Sequence, residues 1–188
     1  MVRRFESVIG IDDSPFSRFY RGDIPIIGTV YTGLRLDGII TGRIRKDGAN
    51  ATDNLALLIQ RSKFASQIKL VMLQGIALGG FNVVDIQGLF DRLGIPVLVV
   101  TRRAPDLNAI KAALLGGVAG GTRKWKLIAR AGEIEPVGKV FVQRAGLTLR
   151  EAAQVVERFA CSGTIPEPLR VAHLIAGGVA KGQSRGRA

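Results

Sequence analysis

Near the start of the chain, Gly10-Ile11-Asp12-Asp13-Ser14 places two acids directly after the apolar run Val8-Ile9-Gly10-Ile11. An apolar strand that ends in acid carries its carboxylates to a sheet edge, where open α/β sheets bind ligands. Hard cations such as Mg²⁺ or Mn²⁺ take oxygen ligands, usually one or two carboxylates with phosphate oxygens and water. Asp12 and Asp13 are therefore candidate metal ligands, and the plainer reading of the pair is a solvated turn or a helix N-cap. Asp47, in Lys46-Asp47-Gly48, is a further candidate, against a simple Asp-Gly turn. Asn82 and Asp85 fall on one helical side and are candidate functional residues, and for both the alternative is N-terminal capping.

Other residues suit phosphate and bases. The segment from Gln74 to Asp85 carries Gly75, Gly79 and Gly80, which allow close backbone approach to a ligand, so Gln74 and Asn82 are candidate nucleic-acid contacts. The segment lacks the Gly-Lys-Ser/Thr ending of a phosphate-binding P-loop and the G-x-G-x-x-G spacing of a dinucleotide site. Arg102 and Arg103 follow an apolar strand, where arginine can hold phosphate in a bidentate grip. Lys124, Trp125 and Lys126 combine cations with the single tryptophan, a pairing that suits backbone contact with base stacking. His173 lies one helical turn from Arg170, and both are candidates against the reading of a histidine satisfied on its own helix.

The elements that position these groups follow from hydrophobic period. Residues 7–12, 24–32 and about 36–44 read as strands, the last two separated by a turn at Thr32-Gly33. They form an antiparallel meander in which strands one and three are expected to be neighbours, bringing Asp47 to Asp12. From Asn50 the period becomes helical, with Thr52 or Asp53 as N-cap. A buried strand at 68–73, a helix ending near Leu93-Gly94, a strand at 96–100 and a helix from Asp106 to Leu115 follow. Strands alternating with helices imply a parallel sheet with right-handed crossovers. The expected fold is thus α/β: an antiparallel three-strand meander feeding parallel βα units, the mixed sheet of ribonuclease H-like proteins, in a single domain over 1–188. Gly116 to Gly121 reads as a loop, 139–143 as a strand, and Thr148-Leu149-Arg150-Glu151 as a capping box that starts a helix. A last helix runs through His173, and the tail, 181–188, is Gly, Ser and Arg.

Composition narrows the partners. The 27 Lys+Arg against 15 Asp+Glu give a net charge of +12, a field that attracts polyanions such as DNA or RNA. One cysteine, Cys161, excludes an internal disulfide and suits a reducing, cytoplasmic setting; it is expected to be a small buried residue. The N-terminus lacks an apolar signal core, and the most apolar stretch, 70–84, is too short to span a membrane. Spacing leaves the oligomeric state open.

Four segments together resemble a family. Gly10-Ile11-Asp12-Asp13-Ser14-Pro15-Phe16, Asp47-Gly48-Ala49-Asn50-Ala51-Thr52, Gly79-Gly80-Phe81-Asn82-Val83-Val84-Asp85 and Pro166 to Ala176 look like the mainly archaeal endonuclease V-like proteins, linked to nicking DNA at deoxyuridine. The chain is more distantly similar to endonuclease V, a Mg²⁺-dependent enzyme that nicks near deaminated purines. The resemblance implies that Asp12 is the first metal-binding carboxylate, that Asp47 stands where a second acid is found, and that Arg102 takes the place of a lysine. It implies that Pro166 to His173 matches a C-terminal Pro-x-Pro-x-Arg-x-Ala-Asp/His pattern. In two places the chain departs: Gln74-Gly75 stands where endonuclease V has Asp-Gly, a metal ligand, so either Asp85 substitutes from the following helix and completes the metal shell or fewer charges hold the metal; and the Tyr-x-Pro-Gly strand-separating wedge is missing, so inosine recognition does not carry over. The expected function is a Mg²⁺-dependent endonuclease acting on deaminated DNA, with Asp12, Asp47, Arg102 and His173 as catalytic residues. The alternatives are a nucleic-acid-binding relative without catalysis and a hydrolase of free nucleotides.

Overall fold

Strands β1 (Ser7–Asp13), β2 (Asp23–Thr32) and β3 (Arg35–Arg45) form the antiparallel meander, in a computed structural model that describes residues 3–184. The last four residues of the expected Gly/Ser/Arg tail lie outside the described residues. After the meander come α1 (Ala51–Gln60), β4 (Val71–Gln74), a short hairpin of β5 (Ala77–Leu78) and β6 (Asn82–Val83), α2 (Ile86–Leu93) and β7 (Val97–Thr101). The chain continues through α3 (Leu107–Leu115), α4 (Gly121–Arg130), β8 (Glu135–Val137), β9 (Val140–Ala145), α5 (Leu149–Phe159) and α6 (Glu167–Lys181). The main sheet has the order β3-β2-β1-β4-β7-β9-β8. β1, β4 and β7 are parallel and every other pairing in that sheet is antiparallel.

That order corrects one expectation. β2 lies between β1 and β3, so strands one and three are not neighbours. Asp47 therefore lies in the turn that follows the edge strand, two strand positions out from Asp12.

Both faces of the central strands are covered, which is why β4 and β7 read as continuous apolar runs. Ile9, Ile11, Val71, Leu73, Val97 and Val99 share one core with Leu55 and Ile59 of α1 and Leu89 of α2. Val8, Leu70, Met72, Leu98 and Val100 share the other with Val155 and Phe159 of α5 and Leu169 of α6. Side chains alternate along a strand, so Asp12, Gln74 and Arg102 each continue a row of the second face at the same end of the sheet. α6 reaches that face because Gly10 leaves room: a Cβ there would lie 2.4 Å from the Pro168 carbonyl carbon. Thr29 Oγ1 donates to the Pro168 carbonyl oxygen at 2.7 Å, fixing the start of the helix on β2.

Several local expectations hold and several change. Thr148 and Glu151 form the full capping box of α5, and α2 ends on Gly94 in the left-handed conformation. The N-cap of α1 is Asn50, with no side-chain cap, in place of Thr52 or Asp53. The basic cluster around Trp125 is helical, on α4, because its apolar residues fall on one helical face. Cys161 is exposed, since it lies in the polar loop beyond α5 rather than on the helix's buried face. Among the described residues no helix is long and apolar enough to cross a membrane.

Candidate functional site

β1 delivers Asp12 and Asp13 to opposite faces of one sheet end. Asp12 is only 5% exposed. Its Oδ1 accepts from the Asp13 N–H at 3.0 Å, and its Oδ2 pairs with His173 Nδ1 at 2.8 Å. An ionised carboxylate only accepts, so this contact puts a proton on Nδ1 and sets the ring's orientation. The hydrogen bond to Asp12 raises the His173 pKa; burial opposes the rise, the Arg102 charge lowers it and the Asp13 charge adds to it. Asp12, Asp13, Arg102 and His173 therefore form one electrostatic group, built from β1, the end of β7 and α6.

Asp13 faces the other way and accepts from Gly79 N–H at 2.9 Å. Burial first, then the Asp12 charge, push its carboxyl up to about 6, against the lowering effect of the Gly79 hydrogen bond. Neighbouring carboxylates, one buried and one half-buried, cannot both ionise cheaply without a nearby cation. At the same sheet end, Gln74 Oε1 and Ser14 Oγ are buried with no hydrogen-bond partner among the described residues. Buried polar atoms are nearly always satisfied, so orphaned oxygens beside crowded carboxylates suit a ligand that takes oxygen.

The remaining acids lie elsewhere. Asp47 adopts φ 50°, and its Oδ1 accepts from Phe81 N–H at 2.8 Å while its N–H donates to Gly79 O at 2.9 Å. Asp13 and Asp47 thus hold the same Gly79–Phe81 loop from two sides. Gly80 is required there: its φ is +86°, and a Cβ would lie 2.3 Å from Asp47 Oδ1. Asp85 caps α2, accepting from Gly88 N–H at 3.0 Å, and pairs with Arg130 at 3.1 Å. Asp47 and Asp85 line a separate cavity of about 420 Å³ with Asp53, Arg92, Arg123 and Lys124. The expected shell of Asp12, Asp13, Asp47 and Asp85 does not assemble, and among the described residues no three His, Cys, Asp or Glu side chains converge as a metal-holding group.

The expected nucleic-acid contacts also divide. Arg102, Arg103 and Lys126 are exposed. Asn82 is fully buried; its Nδ2 donates to Arg45 O and Asn50 Oδ1, both at 2.8 Å, and its Oδ1 accepts from Ala51 N–H at 3.0 Å. It ties the end of β3 to the start of α1. Lys124 is 4% exposed and donates to Asp47 O at 2.6 Å, and burial lowers its pKa. Trp125 is half-buried in the apolar group of Val83, Leu114 and Ile128, with Lys111 Nζ 5.4 Å from its ring centroid. Arg170 pairs with Glu167 at 2.5 Å beside Tyr31, away from Asp12. Sequence reading passed over Ser14 and the shared role of the Gly79–Phe81 loop; the glycine pair was visible, its two anchors were not.

The family described as Endonuclease dU matches residues 5–180. A UPF0215 protein of Deinococcus radiodurans is 54% identical over 184 residues, covering 98% of this chain and 94% of its own. A crystal structure of a protein of unknown function from Archaeoglobus fulgidus has a TM-score of 0.86 at 39% identity, over 92% of this chain and 97% of its own. Endonuclease V of Ciona intestinalis, solved in complex with a 24mer DNA containing an inosine followed by a ribo-adenosine, has a TM-score of 0.57 at 15% identity, over 90% of this chain and 83% of its own. The mixed sheet is thus the fold of endonuclease V. By the match that runs through nearly all of its length, this chain belongs to the endonuclease dU family, a family of nucleases.

Proposed function

We propose that this protein is a metal-dependent endonuclease that nicks DNA at or near deaminated bases such as deoxyuridine. One observation carries the reading: a buried Asp12–His173 pair, a crowded Asp13 and an unpartnered Gln74 oxygen meet at one end of the sheet. The residues fit a hard divalent cation, Mg²⁺ or Mn²⁺, which Asp12 would hold with the Gln74 amide oxygen, Asp13 adding negative charge from the opposite face. Such an ion would supply an activated water and neutralise charge on the phosphate. Asp12 orients His173, and His173 and the exposed Arg102 bring positive charge and hydrogen-bond donors to the phosphate. Arg103 and Lys126 offer exposed cations for the strand. The family's description and the DNA-bound endonuclease V relative support the same substrate class; RNA is the comparison substrate.

The test is nicking of an oligonucleotide with one deoxyuridine, with and without Mg²⁺. Asp12→Asn keeps the volume and is expected to lower the rate by about 100-fold or more while the protein still melts as a folded chain. Undiminished nicking by that variant would remove the proposal. A second reading follows from Gln74, an amide where endonuclease V carries an acid: a DNA-binding protein of this fold without cleavage. It predicts salt-sensitive binding that needs no metal, and no nicking of any substrate.

A further inference from the structure

The loop between β1 and β2 leaves the site directly after Asp13 and has no part in the chemistry above. It reads Phe16-Ser17-Arg18-Phe19-Tyr20-Arg21. Its base is anchored: Phe16 packs against the core, Lys46 Nζ lies 5.5 Å from the Phe16 ring centroid, and the same Nζ donates to Arg18 O at 2.6 Å. Its tip is a turn, in which Tyr20 N–H donates to Ser17 O at 3.0 Å. Tyr20 Oη donates to Asp23 O at 3.2 Å, which holds the second ring. The result is a loop anchored at its base and at Tyr20 that presents Phe19 outward at 86% exposure, more than any other large apolar side chain of the described residues, with Tyr20 43% exposed beside it.

One exposed ring would be ordinary, but two adjacent exposed rings rimmed by cations form the kind of patch that marks a contact surface. The surroundings select the partner. A shallow cavity of about 430 Å³ joins Phe19 and Tyr20 to Arg18, Arg21, Arg45 and Lys46. Among the described residues Arg18 and Arg21 have no carboxylate partner, while Arg45 pairs with Asp23 at 3.5 Å. Aromatic faces between unpaired guanidinium groups match a nucleobase flanked by its own phosphates. β1 and β3 run in the same direction, so the loop and the Lys46-Asp47 turn stand at the sheet end that carries Asp12.

We infer that the Phe16–Arg21 loop is a stacking platform for an unpaired base of the DNA strand cut at Asp12, with Arg18 and Arg21 on the adjoining phosphates. The inference rests on the nuclease reading and adds to it where the strand lies. Phe19 stacks on the base, and the loop's anchors keep it fixed in the free protein.

The experiment measures binding, in EDTA, of a labelled DNA with one deoxyuridine in an unpaired stretch, and of a fully paired control of the same length. A 2-aminopurine beside the deoxyuridine reports stacking through its fluorescence. Phe19→Ala is expected to weaken binding of the unpaired substrate by about tenfold, to abolish the 2-aminopurine quenching, and to leave the melting temperature unchanged. Phe19→Trp is expected to restore both binding and quenching, and Arg18→Ala with Arg21→Ala to weaken both substrates and flatten the salt dependence. Wild-type protein that binds and nicks DNA while Phe19→Ala does so equally overturns the platform and leaves the nuclease standing. Wild-type protein that binds no DNA overturns both.

Discussion

Glu151 shows how much a single side chain can do at an N-terminus. It closes the α5 capping box and also accepts from Arg3 Nε at 2.9 Å and Arg3 N–H at 3.2 Å. Those contacts, the Arg3 side chain first and then the Thr148 N–H, hold its carboxyl well below the usual range. A carboxylate with a depressed folded pKa contributes stability that is present above its unfolded value, near 4.5, and is lost as pH falls below it. Glu151→Gln is expected to cost about 1–3 kcal/mol at neutral pH and to reduce the difference in urea midpoint between about pH 7 and pH 3. Equal pH dependence in the two proteins would show that the Arg3–Glu151 contact is not ionic in solution. Asp12 has a comparable double duty, but its two contacts serve the site: one oxygen accepts from the Asp13 N–H and the other fixes His173.

At the scale of elements, the decisive contact is α6 against β1. His173 reaches Asp12 only because the helix begins on the bare backbone of Gly10. A methyl group there would meet the Pro168 carbonyl carbon and the Leu169 nitrogen, at 2.4 and 2.7 Å, and backbone cannot rotate away. Gly10→Ala is expected to destabilise the fold by about 1–3 kcal/mol and to lower nicking more than the stability loss explains, because His173 moves with the helix. Gly178, further along α6, has open space around its missing Cβ, so Gly178→Ala should be neutral or stabilise by up to about 1 kcal/mol. Thermal melts and nicking rates of the two variants check this, and similar melts for both would sink the packing account.

For the molecule as a whole, the charge of +12 is not spread into ion pairs alone. Arg102 and Arg103 near the site and Arg18 and Arg21 on the loop leave exposed cations at one sheet end. Binding to DNA is therefore expected to release counterions, with a slope of log K against log salt near −0.9 for each duplex phosphate contacted. Affinity should fall at least about tenfold between 50 and 200 mM salt. A salt-independent affinity, measured by fluorescence anisotropy, would detach the basic surface from nucleic-acid binding.

Sequence by itself determined the local facts: the strands of β1, β4 and β7 from their apolar runs, the α5 start from Thr148 and Glu151, and the acids at a strand end. These depend on neighbours a few residues apart, where period and capping chemistry act. Tertiary structure decided which charged groups meet. Asp85 has the same local pattern as a cap or as a ligand, and only Gly88 and Arg130 show which contacts it makes. Lys124 belongs to a basic run that reads as surface, yet α4 turns it inward onto Asp47 O. Asp47 is kept from Asp12 by β2, inserted between their strands, and His173 is brought 2.8 Å from Asp12 across 161 residues of chain. Contacts of that range are set by strand order and by which helix covers which face, and neither is written in any one segment.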